Sequence, residues 1–323
     1  MRRREFLGLA GATVAAGLAP RTGARAEGWP DKPVKFILPY APGGATDLIG
    51  RPWGEKLTQA FGQQFIIENR GGAGGMIGTE AAAKAAPDGY TFLLTPNATL
   101  SVLPTMRKTP YDPVKSFDPV ARVGDLVCGF VIHPAVGPKT FQEMIAYAKA
   151  NPGKLSYGSA GLGTATQLRL EMLKYRAGID ILHVPYRGSA DALNDLLPNT
   201  VQMMNEINTL PHVRAGKLTL LDINYTERHP DFPDTPTLTE LGFPDSDVPI
   251  WYSVFAPAGT SKEIIAKLNA KIIEIAKSED MIARMRSINT IVPLQTPEEV
   301  SQTLVADTAR NAEIIKVADI KLE

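Results

Sequence analysis

Cysteine is nearly absent from this sequence, which has one such residue, Cys128, among 323. A single thiol cannot form a disulfide within the chain, so a small disulfide-stabilised fold is excluded and Cys128 is expected to be a small buried hydrophobic residue. An excess of charge is also absent, because 34 basic residues balance 34 acidic ones. This balance removes the electrostatic basis for general binding to nucleic acid or to an anionic membrane.

The composition is that of an ordinary globular protein, with 44% hydrophobic and 21% charged residues. It excludes disordered, collagen-like and coiled-coil proteins. At about 150 residues per domain, the length predicts roughly two domains. No segment after residue 26 approaches the ~20 consecutive apolar residues that a membrane-spanning helix needs.

Residues 1–26 have the pattern of an export signal. A basic start (1–4) precedes an apolar run (7–19), and Ala-Arg-Ala at 24–26 fits a cleavage site. The sequence RREFL at 3–7 predicts export by the twin-arginine route, with an ordinary Arg-rich secretory signal as the alternative. Either signal predicts a protein that works in the periplasm.

The rest of the chain alternates between strand and helix patterns. Apolar residues alternate through 34–40, a glycine turn follows at 41–47, and Ile49, Trp53, Leu57 and Ala60 form an apolar stripe at helical spacing, with Pro52 near the first turn. Further strands are predicted at 65–69, 91–95, 155–161, 179–186, 201–206 and 218–223, and helices near 79–86, 141–150, 164–177, 189–197, 261–277 and 297–316. The alternation predicts an α/β fold with parallel sheets.

Three of the predicted helices begin with a possible capping box. In this motif a Thr side chain accepts from a backbone amide three residues later, while a Glu at that later position bonds back. The pairs are Thr140 with Glu143, Thr260 with Glu263, and Thr296 with Glu299.

No set of catalytic residues is evident. The segment around Ser159 reads YGSAG, which lacks the first glycine of a nucleophile elbow. The four histidines are scattered without the spacing of metal ligands, and no phosphate-binding loop occurs. The glycine turn at 70–78 has one residue too many for a dinucleotide fingerprint. We therefore expect no catalytic residues, no metal ion and no cofactor.

Three turns rich in hydrogen-bond donors remain, at 43–47, 158–164 and 186–190. Each precedes a predicted helix, and free backbone N–H groups at a helix N-terminus bind carboxylates without a basic side chain. The hydroxyls of Ser159 and Thr164 add donors to the second turn. Together with the export signal, these turns favour capture of an anion over catalysis.

Residues 29–323 resemble the substrate-binding proteins of tripartite tricarboxylate transporters, the Bug-type family. The matching stretches are WPDKPVKFILPYAPGGATD (29–47), ENRGGAGGMIGTEAAAKAAPDGYT (68–91), PYDPVKSFDPV (110–120), AKANPGKLSYGSAGLGT (148–164), HVPYRGSADALNDLL (183–197), RAGKLTLL (214–221), WYSVFAPAGT (251–260) and TPEEV (296–300).

The resemblance implies a two-lobed periplasmic-binding-protein fold of type II, in which each lobe is a sheet flanked by helices and the lobes close on a ligand like a flytrap. Lobe 1 would comprise 27–124 and 225–323, and lobe 2 would comprise 125–224. The protein would be a monomer that captures a small organic carboxylate and delivers it to the membrane permease subunits of the transporter. Nucleic acid is not an expected partner. The alternatives are a periplasmic enzyme acting on a carboxylate and a ligand-sensing subunit of a signalling system.

The resemblance also implies the ligand-binding residues. They are Tyr40, Gly44, Ala45, Thr46, Asp47 and Asn97 from lobe 1, and Ser159, Thr164, Tyr186, Arg187 and Asn205 from lobe 2. Four of them have structural alternatives: Asp47 as a helix cap, Asn97 as a turn residue, Tyr186 as interlobe packing and Arg187 as a solvated rim charge.

The sequence departs from the family pattern at several positions. Gln167 stands where the family often has His, Ser253 replaces a Gly, and a different polar pattern occupies 202–206, including Asn205 and Glu206. A buried Glu206 next to an anionic ligand is costly unless it is hydrogen-bonded or protonated. These departures predict a pocket for a mono- or dicarboxylate with a neutral polar or aromatic portion.

Overall fold

The computed structural model describes residues 28–320, so the predicted export signal at 1–26 lies outside the described residues. The strands in this part of the chain are β1 (Val34–Leu38), β2 (Phe65–Asn69), β3 (Thr91–Pro96), β4 (Phe117–Leu126), β5 (Val131–Ile132), β6 (Ser156–Ser159), β7 (Leu182–Pro185), β8 (Met203–Met204), β9 (Thr219–Leu220), β10 (Trp251–Pro257) and β11 (Thr290–Ile291). The α-helices are α1 (Ala45–Phe61), α2 (Met76–Ala83), α3 (Ala98–Ser101), α4 (Leu103–Met106), α5 (Phe141–Ala150), α6 (Ala165–Ala177), α7 (Ser189–Leu196), α8 (Leu210–Arg214), α9 (Lys262–Ala276), α10 (Glu279–Ser287) and α11 (Pro297–Val317).

The strands form two sheets, each the centre of one lobe. The larger lobe contains a six-stranded sheet in the order β11-β4-β10-β3-β1-β2, and the smaller lobe a five-stranded sheet in the order β7-β6-β8-β5-β9. In the larger sheet β2, β1 and β3 are parallel, whereas β10 runs antiparallel between β3 and β4. In the smaller sheet β7, β6 and β8 are parallel and β5 is antiparallel to β8 and β9. The prediction of parallel sheets is therefore wrong for β4, β5, β9, β10 and β11, because each of these strands pairs antiparallel with its neighbours.

Alternating side chains give the larger sheet a core on each face. Phe36 on β1 belongs to one apolar cluster and its neighbour Ile37 to another. Successive strand residues point to opposite faces, so a sheet covered by helices on both sides carries apolar residues without interruption. The larger sheet is therefore the middle of three layers.

Helix α1 packs on one face of this sheet through the predicted stripe. Ile49, Trp53 and Leu57 are fully buried in the cluster that contains Phe36, whereas Ala60, the fourth predicted member, is exposed. The helix begins at Ala45, earlier than expected, so the prediction that Pro52 lies near its first turn is wrong and this proline is in the helix interior. The earlier start places the helix N-terminus directly after the glycine turn.

The predicted capping boxes have different outcomes. Thr296 and Glu299 form the complete predicted box at the start of α11. Thr140 caps α5 by accepting from the Glu143 amide, but the box there is incomplete because the Glu143 carboxylate accepts from the Lys139 amide instead. The prediction for Thr260 is wrong, because α9 begins at Lys262 with Ser261 at the cap position. The Thr260 hydroxyl instead donates to the Pro257 carbonyl at 2.7 Å, which ties it to the end of β10.

The chain passes from the larger to the smaller sheet between Leu126 and Val131. The division of the chain at 125 and 225 stays a prediction. Leu238 lies in the apolar core of the smaller lobe, and β10 begins only at Trp251. We propose on these contacts that the chain returns to the larger lobe close to residue 250.

None of the helices within 28–320 combines the length and the hydropathy needed to cross a membrane.

Candidate functional site

A small cavity lies where the two lobes face each other. Its walls come from segments that follow the carboxyl ends of β1, β3, β6 and β8, the edge at which ligands bind in open α/β sheets. The lining residues are Tyr40, Gly44, Ala45, Thr46, Pro96, Ala98, Ala160, Thr164, Ala165, Thr166, Ser189, Glu206, Ile250 and Tyr252. The cavity is thus built by both lobes together.

The N-terminus of α1 points into the cavity. Gly44 occupies the cap position and supplies no side chain to satisfy the first amides of the helix. The preceding Gly43 has a φ of 79°, in the left-handed region that favours glycine, which brings the chain sharply round into the helix. An uncapped helix N-terminus concentrates partial positive charge and free N–H groups, which is an arrangement suited to a carboxylate.

The N-terminus of α6 approaches the cavity from the other lobe. Thr164 caps this helix by accepting from the Gln167 amide, and its hydroxyl donates to the Gly161 carbonyl at 2.6 Å. Ala165 and Thr166, the first helical residues, line the cavity. The N-termini of two helices, one from each lobe, therefore line the same cavity.

Ser189, at the start of α7, joins the lobes. Its hydroxyl accepts a hydrogen bond from the Ala45 amide at 3.0 Å. Nearby, a Cβ added to Gly74 would come within 2.1 Å of the Leu162 carbonyl oxygen of the smaller lobe. The lobes are therefore in direct contact around the cavity, and glycine at 74 is needed for that approach.

Glu206 contributes a carboxyl group to the cavity wall. It follows β8, is 4% exposed, and its Oε2 atom makes no hydrogen bond to any group in residues 28–320. Burial raises the pKa of Glu206 to about 8, although the charge of Arg169 and the Ile207 amide lower it. The side chain is therefore a neutral carboxylic acid at pH 7.

Arg169 on α6 is a fully buried cation whose charge acts on this group. Its Nε donates to the Val248 carbonyl at 2.7 Å and its Nη1 to Asn205 Oδ1 at 2.8 Å. Asp247 lies 3.8 Å from Nη2. Arg169 thus ties the smaller lobe to the segment that leads into β10.

Two tyrosines add hydroxyls near the cavity. Tyr40 donates to the Gly74 carbonyl at 2.9 Å, and burial raises the pKa of both Tyr40 and Tyr252 well above the ordinary value, with the charge of Glu206 adding to each shift. Both phenols are therefore neutral and form rigid, amphipathic walls.

The structure brings five of the predicted ligand-binding residues into the cavity lining: Tyr40, Gly44, Ala45, Thr46 and Thr164. The others lie outside it. Asp47 accepts hydrogen bonds from the Gly43 amide at 2.9 Å and from Arg51 at 2.7 Å. Burial acts to raise the pKa of Asp47, but these two hydrogen bonds outweigh it and lower the pKa below its ordinary value. Asp47 is therefore an ionised carboxylate that stabilises the start of α1.

Asn97 and Asn205 are both fully buried behind the cavity walls. The side-chain amide of Asn97 donates to Asp307 Oδ2 at 3.1 Å and to the Pro249 carbonyl at 3.2 Å. Asn205 accepts from Arg169 and donates to Asn224. Their hydrogen bonds connect segments that are distant in sequence.

Ser159 lies next to His183, with 2.6 Å between Oγ and Nε2. A serine beside a histidine is the arrangement of nucleophilic enzymes, yet Ser159 is fully buried and neither residue lines the cavity. Ser159 Oγ also accepts a hydrogen bond from the Gly161 amide at 3.1 Å. Burial, with a smaller effect from the positive charge of Lys174, lowers the pKa of His183 to about 4. The pair therefore fixes the turn after β6.

Tyr186 and Arg187 lie on an adjacent groove together with Gly74, Arg107 and Gly161. Tyr186 donates to Asp195 at 2.6 Å, which orients its ring, and Arg187 is exposed. These two residues are thus at the outer rim of the cleft rather than in the cavity.

Several lining residues were not among the predicted contacts, notably Thr166, Ser189, Glu206 and Tyr252. Ser189 had a signal in the sequence, since it directly follows Gly188 at the start of a helix. Tyr252 had none, because it reaches the cavity only through the pairing of β10 with β3. Within residues 28–320 no cluster of three or more His, Cys, Asp or Glu side chains is placed to hold a metal ion.

Comparisons with known proteins agree with this geometry. A family model described as "Tripartite tricarboxylate transporter family receptor" matches residues 49–320. The chain is 34% identical over 328 residues to protein BugT of Bordetella pertussis, with all of both chains covered.

Two solved structures are similar over most of the chain. The periplasmic binding protein BugD has a TM-score of 0.87 at 33% identity, covering 91% of this chain and 100% of its own. An R. palustris protein solved with adipate has a TM-score of 0.87 at 30% identity, covering 91% and 99%. The matches confirm the family resemblance and the two-lobed fold inferred from the sequence.

Proposed function

The chain belongs to the tripartite tricarboxylate transporter receptor family, and from that premise we propose that it captures a small organic carboxylate in the cavity between its lobes and passes it to membrane permease subunits. The proposal places the protein in the periplasm, in keeping with the export pattern at 1–26. Receptors of this kind return their ligand chemically intact.

The convergence of the α1 and α6 N-termini on one cavity carries the proposal. A ligand carboxylate there would receive hydrogen bonds from the Thr46 amide and from the hydroxyls of Thr166 and Ser189. Each helix terminus contributes only about 0.3–1 kcal/mol in an exposed setting. Several donors in an enclosed space are therefore required.

Micromolar affinity requires about 8 kcal/mol in total. The apolar part of the ligand supplies a further share, at about 25 cal/mol for each Å² removed from water. Ala98, Ala160 and Ile250 provide apolar lining for it. The cavity is small, which favours a compact acid over a large one.

Lobe closure is the proposed mechanism of capture. The donors lie on both lobes, so a ligand contacts all of them only when the lobes meet. A ligand shifts a conformational equilibrium by its difference in affinity between the two states. The bound acid therefore stabilises the closed form that the permease recognises.

The test is a thermal-shift screen of the purified mature protein with a panel of organic acids that includes adipate, succinate and benzoate. A true ligand raises the melting temperature in proportion to the logarithm of its concentration above Kd. Calorimetry then gives Kd, and mass spectrometry of the recovered acid shows whether it has changed. Stabilisation with complete recovery of the acid is expected, whereas conversion of the acid would favour a periplasmic enzyme and contradict the proposal.

A further inference from the structure

Among the cavity-lining residues described in 28–320, Glu206 alone has a buried side-chain polar atom without a hydrogen-bond partner. The residue is 4% exposed and lies in the wall of the cavity that the N-termini of α1 and α6 also line. A buried polar atom without a hydrogen bond costs about 1–3 kcal/mol. Because Glu206 lines the cavity, this cost indicates that a ligand in the cavity supplies the missing hydrogen bond.

The surroundings of Glu206 hold it as an acid rather than as an anion. The groups that act on it electrostatically are Arg169 on α6, Tyr40 after β1, Tyr157 on β6, Tyr252 on β10 and Cys128 between β4 and β5. Only Arg169 is charged, and its nitrogens donate to Val248, Asn205 and Cys128 instead. Burial accordingly raises the pKa of Glu206 to about 8.

We propose that Glu206 binds the ligand as a neutral carboxylic acid and donates its proton in a hydrogen bond to a carboxylate oxygen of the captured acid. This inference rests on the proposed function. Two carboxylates cannot both be ionised in one water-poor cavity without strong repulsion, and sharing a proton replaces that repulsion with a charge-assisted bond. Glu206 then selects ligands that present a hydrogen-bond acceptor at this position.

Proton linkage follows from the same geometry. Ionised Glu206 repels an anionic ligand, so the apparent Kd rises once the pH exceeds the pKa of the free protein. With a pKa of about 8, Kd is expected to be almost constant from pH 6 to 7 and to be about tenfold weaker at pH 9. A ligand whose ammonium group pairs with ionised Glu206 would show the opposite trend.

The experiment combines calorimetry with a direct titration of the side chain. Adipate, succinate and benzoate are titrated into the mature protein and into the Glu206→Gln variant between pH 6 and 9. The amide of Gln is nearly isosteric and still donates a hydrogen bond, but it cannot ionise. Wild type should lose affinity about tenfold by pH 9, whereas the variant should bind within about fivefold of wild type at pH 6 and show a flat profile.

The ionisation of Glu206 is measured independently in the ligand-free protein. The ¹³C carboxyl signal that is missing from Glu206→Gln should titrate near pH 8. A midpoint close to the ordinary value of 4.5 would overturn the inference whatever the ligand data show. This measurement uses the wild-type fold, so it stands even where the variant is unstable.

The remaining outcomes separate this inference from the proposed function. Binding with a flat wild-type pH profile contradicts the role of Glu206 alone and leaves carboxylate capture intact. No binding of any of the three acids at pH 6 contradicts the proposed function, and this inference falls with it. As a matched probe, 2-aminoadipate should bind more weakly than adipate; tighter binding that increases with pH would assign Glu206 to an ammonium group instead.

Discussion

The Ala45 amide donates a hydrogen bond to the Ser189 hydroxyl at 3.0 Å, so the N-terminus of one helix is satisfied by the first residue of another helix on the opposite lobe. This bond joins α1 to α7 at the edge of the cavity. It gives the closed arrangement a stabilising contact that does not depend on a ligand.

Replacing Ser189 by Ala should favour the open form. Loss of the hydroxyl leaves the Ala45 amide without its partner, which costs about 1 kcal/mol in the closed state. We expect a larger radius of gyration in ligand-free small-angle scattering and ligand binding that is about threefold to tenfold weaker. Ser287→Ala is the matched control, because the exposed Ser287 hydroxyl donates to the Arg284 carbonyl within α10. Equal radii for the two variants would contradict this role of Ser189.

Gly44→Ala should interfere with closure while sparing the fold. The φ of Gly44 is −82°, which any residue adopts, but an added Cβ would lie 3.0 Å from Ser189 Oγ. We expect binding at least fivefold weaker, with a change of about 1 kcal/mol or less in the free energy of unfolding.

A double-mutant cycle isolates that contact. In the Ser189→Ala background the added methyl group no longer meets a hydroxyl, so Gly44→Ala should weaken binding much less than it does in wild type. Additive effects in calorimetry would show that Gly44→Ala acts elsewhere.

Asn97→Ala should destabilise the larger lobe and leave binding nearly unchanged. Asn97 bonds Asp307 and the Pro249 carbonyl, and its loss leaves buried partners unsatisfied. We expect a loss of about 2–4 kcal/mol in urea unfolding and a Kd within about threefold of wild type. A large loss of affinity with normal stability would instead make Asn97 a ligand contact, as the family resemblance implies.

The Ser159–His183 pair should make the protein sensitive to acid. The pKa of His183 falls from its ordinary value of 6.5 to about 4 on folding. Between these pH values the unfolded chain binds a proton that the folded protein does not, so the free energy of unfolding decreases as the pH falls from 6.5 towards 4. Urea midpoints between pH 4.5 and 7 should show a steeper slope for wild type than for His183→Gln; identical slopes would contradict this prediction.

Much of the local structure was predictable because its cause is local. The stripe of Ile49, Trp53 and Leu57 needs only helical spacing, and the caps at Thr140 and Thr296 need only the next three residues. The same holds for the lobe 1 wall of the cavity, where a glycine turn leads into α1.

Residues whose surroundings come from distant segments were harder to assign. Asn97 is adjacent in sequence to a predicted strand, but its partner Asp307 is 210 positions away. Asn205 is held by Arg169, and Ser159 by His183, after the lobe has folded. The turn that carries each residue was visible in the sequence, whereas the direction of its side chain depended on tertiary packing.

The position of β10 has a consequence for the order in which the molecule assembles. This strand comes late in the chain but lies between β3 and β4, in the middle of the larger sheet. While the protein is being synthesised, the segments of the smaller lobe leave the ribosome as one continuous stretch, and contacts that are close in sequence form quickly. The larger sheet cannot be completed until Pro257 has been synthesised, because β10 separates β3 from β4. A nascent chain that ends before β10 therefore contains all the strands of the smaller lobe but lacks the central strand of the larger lobe.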